Sequence, residues 1–233
     1  GSAALAGILH RSQRLEESGE EYSKALEALP ENSPGRQKIG AQLEQVDLEL
    51  GAVLAKNGRY KEGLSMSSTA AQRFPESAAL QQMLGFFQAK QRMNVAAVSS
   101  YTRALSLDPS SAEASLGLGM AQSSAGMYQE AIATLEAGAK RFPNKALHLQ
   151  ALGVVLLESG DRDSAVATFE EALKQDPTLG ESHLQLGNNA LDKGDFRLAT
   201  EHLRAAAAST PSDSRVHFAL ARLYRRTGDR VDD

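Results

Sequence analysis

Apolar residues recur along most of the chain at intervals of three, four and seven, the spacing that places them on one face of a helix. Residues 147–158 form one such amphipathic segment, which stops at Ser159-Gly160, where glycine suits a left-handed helix cap. Residues 163–174 form a second. Asp163 opens it at the positive end of the helix dipole, Phe169 and Leu173 share a face one turn apart, and Asp176-Pro177 closes it. The pattern predicts helix, tight turn, helix, and it repeats along the chain.

The repeat length is read from the prolines. Of seven, five stand at Pro75, Pro109, Pro143, Pro177 and Pro211, separated by one constant interval. At an average proline usage of about 5%, four further in-register hits have a chance probability on the order of 10⁻⁵. Gly51, Gly85, Gly119, Gly153 and Gly187 keep the same interval, with Ala221 in the next place and a leucine just before each. Two columns of small residues follow: Ala97, Ala131, Ala165 and Ala199, then Ala70, Ala104, Gly138, Ala172 and Ala206. Such columns mark points where helix backbones approach closely. Gly58, Gly126, Gly160, Gly194 and Gly228 mark the turn, with Arg92 as the exception.

These columns resemble the tetratricopeptide repeat, a 34-residue helix-turn-helix with Leu-Gly in its first helix, small residues in its second and a closing proline. The resemblance implies an all-α fold, a right-handed α-solenoid of stacked helix pairs. It spans five units, 44–77, 78–111, 112–145, 146–179 and 180–213, and a C-terminal half repeat or capping helix at 214–233. The family's early tryptophan is replaced throughout by Asp47, Gln81, Ser115, Leu149, His183 and His217, and its first-helix tyrosine survives as Tyr224. The alanine-rich units with Leu-Asp-Pro and Arg-Phe-Pro closures resemble bacterial members. A single unit cannot bury both faces of its helices, so the units must stack to fold.

Residues 1–43 do not keep the register. Leu5, Ile8, Leu9, Leu15, Tyr22, Leu26 and Leu29 predict one long amphipathic helix or two short ones broken at Ser18-Gly19. The expectation is a helical hairpin or degenerate repeat capping the array, with a homodimer through the N-terminal helix as its alternative. The C-terminal segment is the most basic, with Arg215, Arg222, Arg225, Arg226 and Arg230. It reads either as a polar cap paired with Glu181 or Asp192, or as a docking patch for an acidic peptide or phosphate. The chain stops at Asp233, which leaves open both a cap and a longer protein.

Composition narrows the chemistry. Lys plus Arg number 25 against 29 Asp plus Glu, a formal charge of −4, which argues against nucleic acid as a partner. The absence of cysteine removes disulfides, thiolate nucleophiles and cysteine zinc sites. His10, His148, His183, His202 and His217 share no metal-binding spacing, and neither a phosphate-binding glycine loop nor a serine nucleophile motif is present. The expectation is a non-enzymatic protein with no cofactor. No apolar run is long enough to span a bilayer, and the opening Gly1-Ser2 leaves any leader sequence unreadable, so compartment rests on a cytoplasmic default with export open.

In the family, the first helices line the concave face and bind partners. The resemblance places Met83, Phe86, Leu116, Met120, Val154 and Leu157 there, with Asn188 further along: a mainly apolar trough suited to a peptide or amphipathic helix. The family's basic clamp for chaperone tails is absent, since Leu48, Ala52, Gln82 and Phe86 occupy its places. So is an asparagine ladder, whose column reads Glu49, Met83, Gly117, Ala151, Gln185, Ala219. The function expected is an interaction scaffold that binds a protein or peptide. The alternative is a regulatory or substrate-docking arm of a larger multidomain enzyme.

Overall fold

A computed structural model describes residues 1–228, so Arg230 and the stop at Asp233 lie outside the described residues. All the regular structure there is helical, and no helix among the described residues is long and apolar enough to cross a membrane. The chain divides into two compact units, Gly1–Gly117 and Leu118–Asp233.

The first unit contains α1 (Ser2–Arg11), α2 (Leu15–Glu27), α3 (Pro34–Lys56), α4 (Tyr60–Arg73), α5 (Ala78–Lys90), α6 (Asn94–Leu107) and the start of α7 (Ala112–Ser124). Its N-terminal part is two helices, but the break lies at Ser12–Arg14 and not at Ser18-Gly19. Gln13 takes the turn with φ 58°. Ser18 is buried within α2 and its hydroxyl donates to the Ala6 carbonyl at 2.9 Å, while Gly19 packs near Val46. The small pair therefore lets α2 approach its neighbours instead of ending a helix. Ala6, Tyr22, Leu26, Leu43 and Val46 form the core of this corner. Ser33 begins α3 by accepting from the Arg36 amide, with Pro34 at the first helical position, where its missing N–H costs nothing.

The second unit holds the end of α7, then α8 (Tyr128–Arg141), α9 (Ala146–Ser159), α10 (Arg162–Gln175), α11 (Gly180–Lys193), α12 (Phe196–Ser209) and α13 (Ser214–Thr227). Asp161, Asp195 and Asp213 cap α10, α12 and α13, each side chain accepting a backbone N–H.

The glycine column has a definite packing role. In most repeats each glycine is a slot that receives a large side chain from the second helix of the same repeat. A Cβ on Gly119 would come within 2.5 Å of Leu135 Cγ, on Gly153 within 2.6 Å of the Phe169 ring, and on Gly187 within 2.7 Å of Leu203. In the first unit the Tyr101 ring meets both Gly85, at 3.0 Å, and Gly117, at 2.5 Å. Gly51 differs, because Ser67 stands where the other repeats place the large residue; its slot is filled from the next repeat by Met83 Sδ. Phe87 also reaches back, onto Gly63. The alanine columns are buried, Ala97, Ala131, Ala165 and Ala199 entirely so. Turn glycines 58, 126, 160, 194 and 228 all have positive φ, and Arg92 adopts the same left-handed conformation at 59°.

Candidate functional site

Met83 and Phe86 lie together on α5, one turn apart and facing α3. They line a cavity of about 450 Å³ with Leu48, Ala52 and Ala55 of α3 and Ala79 and Gln82 of α5. Met83 is wall and filler at once, since its sulfur also occupies the Gly51 slot. Phe86 stands edge-on to Tyr60 at 6.3 Å and to Phe87 at 5.2 Å, and the Lys90 ammonium sits 5.4 Å from its ring. Glu113 is the charged residue in the lining of this mainly apolar cavity, while Lys90 lies against the Phe86 ring outside the lining.

A second cavity of about 610 Å³ opens on the same unit, between the α1–α2 connection and α3, and Ala52 belongs to both. Its rim is charged. His10 Nε2 lies 2.8 Å from Glu49 Oε2, and that contact with the Gln45 amide holds the Glu49 carboxyl below its usual pKa. Arg59 pairs with Glu62 at 2.6 Å and with Glu16 at 3.3 Å.

Asp47, in the column where the family carries tryptophan, is buried between α3 and its neighbours. Burial pushes its carboxyl up to about 6 against the opposing pull of Arg73, whose Nη1 is 3.5 Å away. That distance is an ion pair too long for a hydrogen bond, and Asp47 Oδ2 has no hydrogen-bond partner.

In the second unit, Leu157 and Asn188 line a smaller cavity of about 280 Å³ with Phe169 and Gln185. Met120 is 41% exposed and Val154 half-buried; they and the first unit's half-buried Leu116 line none of these cavities. The arginines of α13 are unequally engaged. Arg215 pairs with Glu181 and Asp213, each at 2.7 Å; Arg222 pairs with Asp192 at 3.0 Å; Arg226 donates to the Leu191 carbonyl at 2.8 Å; Arg225 is exposed.

The histidines are spread over several local settings. His183 and His202 place their Nδ1 atoms 2.9 Å apart, and His183 and His217 each reach the carbonyl of the preceding proline through Nε2. His148 is buried against the Phe142 ring at 5.3 Å, neither ring nitrogen has a partner, and burial lowers its pKa. Among the described residues no group of three or more side chains could hold a metal ion.

Sequence reasoning did not find α3 as the wall opposite Met83 and Phe86. Leu48 and Ala52 entered only as departures from a clamp, although their spacing of four already put them on one face.

The family model of the tetratricopeptide repeat matches residues 88–153 and 156–223. No curated protein sequence matches the chain. Among solved structures, PilF of Pseudomonas aeruginosa is similar with a TM-score of 0.69 at 19% identity, over 82% of this chain and 87% of that one. PilW, described as a widely conserved type IV pilus biogenesis factor, gives 0.67 at 18%, over 94% and 96%. YrrB, described as a repeat protein with an unusual peptide-binding site, gives 0.56 at 18%, over 87% and 99%. These likenesses concern the fold, while the family match covers more than half of the residues. This chain belongs to the tetratricopeptide repeat family, whose members are generally protein-interaction scaffolds.

Proposed function

We propose that the chain is a non-enzymatic scaffold that binds a peptide or helix of a partner protein, and that the apolar cavity between α3 and α5 is its principal receptor. The observation that supports this most is the pairing of Met83 and Phe86 with Leu48, Ala52 and Ala55 around about 450 Å³ of open space. That volume suits one or two large side chains, and a flexible methionine lets the wall adjust to them. The charge beside the inserted side chain is mixed, with Glu113 in the lining and Lys90 against the Phe86 ring. On the second unit, Leu157 and Asn188 line a separate cavity that offers a lesser contact of its own.

Selection of displayed random peptides on the whole chain tests this, with an Ala52→Glu variant as counter-target. Ala52 is exposed, so the added carboxylate blocks the cavity without entering the core. Enriched peptides should carry a Leu, Ile or Phe anchor and bind the variant at least about tenfold more weakly, at unchanged helicity and melting temperature. Equal binding to both proteins would remove the cavity from the site.

A further inference from the structure

We propose that Glu113, in the first turn of α7, sets the specificity of the α3–α5 cavity, and that the partner segment it selects carries a lysine or arginine beside its large apolar anchor. The inference rests on the reading of that cavity as the receptor and names the chemistry of its occupant.

The cavity is not uniform along α5. Gln82, Phe86 and Lys90 stand four residues apart and so form one row down the helix. At the beginning of the row the Ser111 hydroxyl donates to Gln82 Oε1 at 2.8 Å and accepts the Ala114 amide at 3.0 Å, which ties the start of α7 to α5. That tie carries Glu113 into the cavity lining with Ala79 and Gln82. The row is therefore acidic at its α7 end and basic at its Lys90 end.

The two charges are not equally available to a partner. The Lys90 ammonium already lies against two rings, 5.8 Å from Tyr60 and 5.4 Å from Phe86, and stands outside the lining. Glu113 is exposed, belongs to the lining, and has no hydrogen bond or ion pair among the described residues. An ammonium or guanidinium satisfies it. Gln82 commits its oxygen to Ser111, which leaves its amide N–H groups to donate to a backbone carbonyl of the same segment. A lysine or arginine also brings an aliphatic stem, which can lie on the apolar wall of Ala79 and Met83. An acidic residue in the same place would face Glu113 across a mainly apolar surface, where like charges are poorly screened. The arrangement thus orders the partner, with its apolar anchor at Met83 and Phe86 and its cation about one helical turn along α5 toward Gln82.

The test selects one displayed random-peptide library on the whole chain, and the most enriched peptide is then synthesised. Enriched sequences should carry Lys or Arg close to a Leu, Ile or Phe anchor. Glu113→Gln should weaken the synthetic peptide about threefold and Glu113→Lys at least about tenfold, both at unchanged helicity and melting temperature. Exchanging the peptide's basic residue for glutamate should weaken binding to the wild-type chain and restore it on Glu113→Lys, with both differences shrinking as salt rises. Ala52→Gln, a neutral block of the cavity, should weaken both peptides. Enrichment of peptides without a basic residue, or binding that Ala52→Gln weakens and Glu113→Lys leaves unchanged, would overturn the role of Glu113 while the cavity stands as receptor. Binding that survives both substitutions, or no enrichment at all, would overturn the receptor and its selectivity together.

Discussion

The two units fill the same kind of slot in different ways. In the second, Gly119, Gly153 and Gly187 each receive Leu135, Phe169 or Leu203 from their own repeat, so each helix pair is locked internally. In the first, Gly85 likewise receives Tyr101 of its own repeat, but the pair that opens the regular array has Ser67 in place of the large residue, and Met83 reaches back to fill the Gly51 slot while Phe87 seats on Gly63. A rigid ring on a backbone is a contact that cannot yield; the end of a methionine can. At that pair the first unit thus joins adjacent repeats through an adaptable side chain as well as through the Phe87 ring, and beside the adaptable one lies an open apolar cavity. Where the lock is looser, room for a partner remains.

The largest expected effects sharpen this contrast. Phe169→Ala should cost about 3–5 kcal/mol by emptying a fully buried site. Gly153→Leu should cost a comparable several kcal/mol, because even a Cβ meets the ring at 2.6 Å. Gly51→Ala, where the obstruction is the flexible Met83 tip, should cost less than about 1 kcal/mol. Urea titrations followed by circular dichroism would measure all three. Equal losses at Gly51 and Gly153 would break the comparison.

The units also differ in their response to acid. Asp47, with its pKa raised from 3.8 to about 6, binds a proton more readily folded than unfolded, so the first unit gains stability as pH falls from about 6 to about 4. His148 in the second unit has a lowered pKa, so its neutral form is favoured by folding and stability is lost as pH drops below the unfolded value of about 6.5. Asp47→Asn should stabilise the first unit at neutral pH by on the order of 1–2 kcal/mol, allowing for partial solvent access. Hydrogen exchange at pH 7 and pH 5 should show protection rising in α3 and falling in α9. Parallel changes in both units would contradict the assignment.

The smallest effect concerns the turns. Glycines occupy the left-handed position at 126, 160 and 194 in the second unit, whereas in the first Gly58 is followed by Arg92 at φ 59°. Arg92→Gly should therefore stabilise by about 0.5 kcal/mol, the relief of backbone strain slightly exceeding the entropy of the added glycine. A loss of stability would mean that the Arg92 side chain supports the turn.

What the sequence showed of the fold was whatever a strict period can carry. The prolines, turn glycines and small-residue columns reveal helix pairs because each acts within its own repeat. The reversed filling of Gly51 was not legible, since it depends on a side chain of the next repeat reaching across a helix interface. Ser18-Gly19 misled for a related reason: in an isolated segment a serine-glycine pair signals a turn, yet here it is the close contact of α2 with α1 and α3. The candidate site was half visible. Met83 and Phe86 could be named from the repeat position, but the opposing α3 wall arises only when helices are placed in space.

The most direct measurement is a two-dimensional amide NMR titration of the labelled whole chain with a peptide selected as above. The shifts should cluster at Leu48, Ala52, Ala79, Gln82 and Phe86, the lining of the α3–α5 cavity. Saturable binding whose shifts map instead to α2, α4 and α6, with α3 and α5 unmoved, would contradict the account.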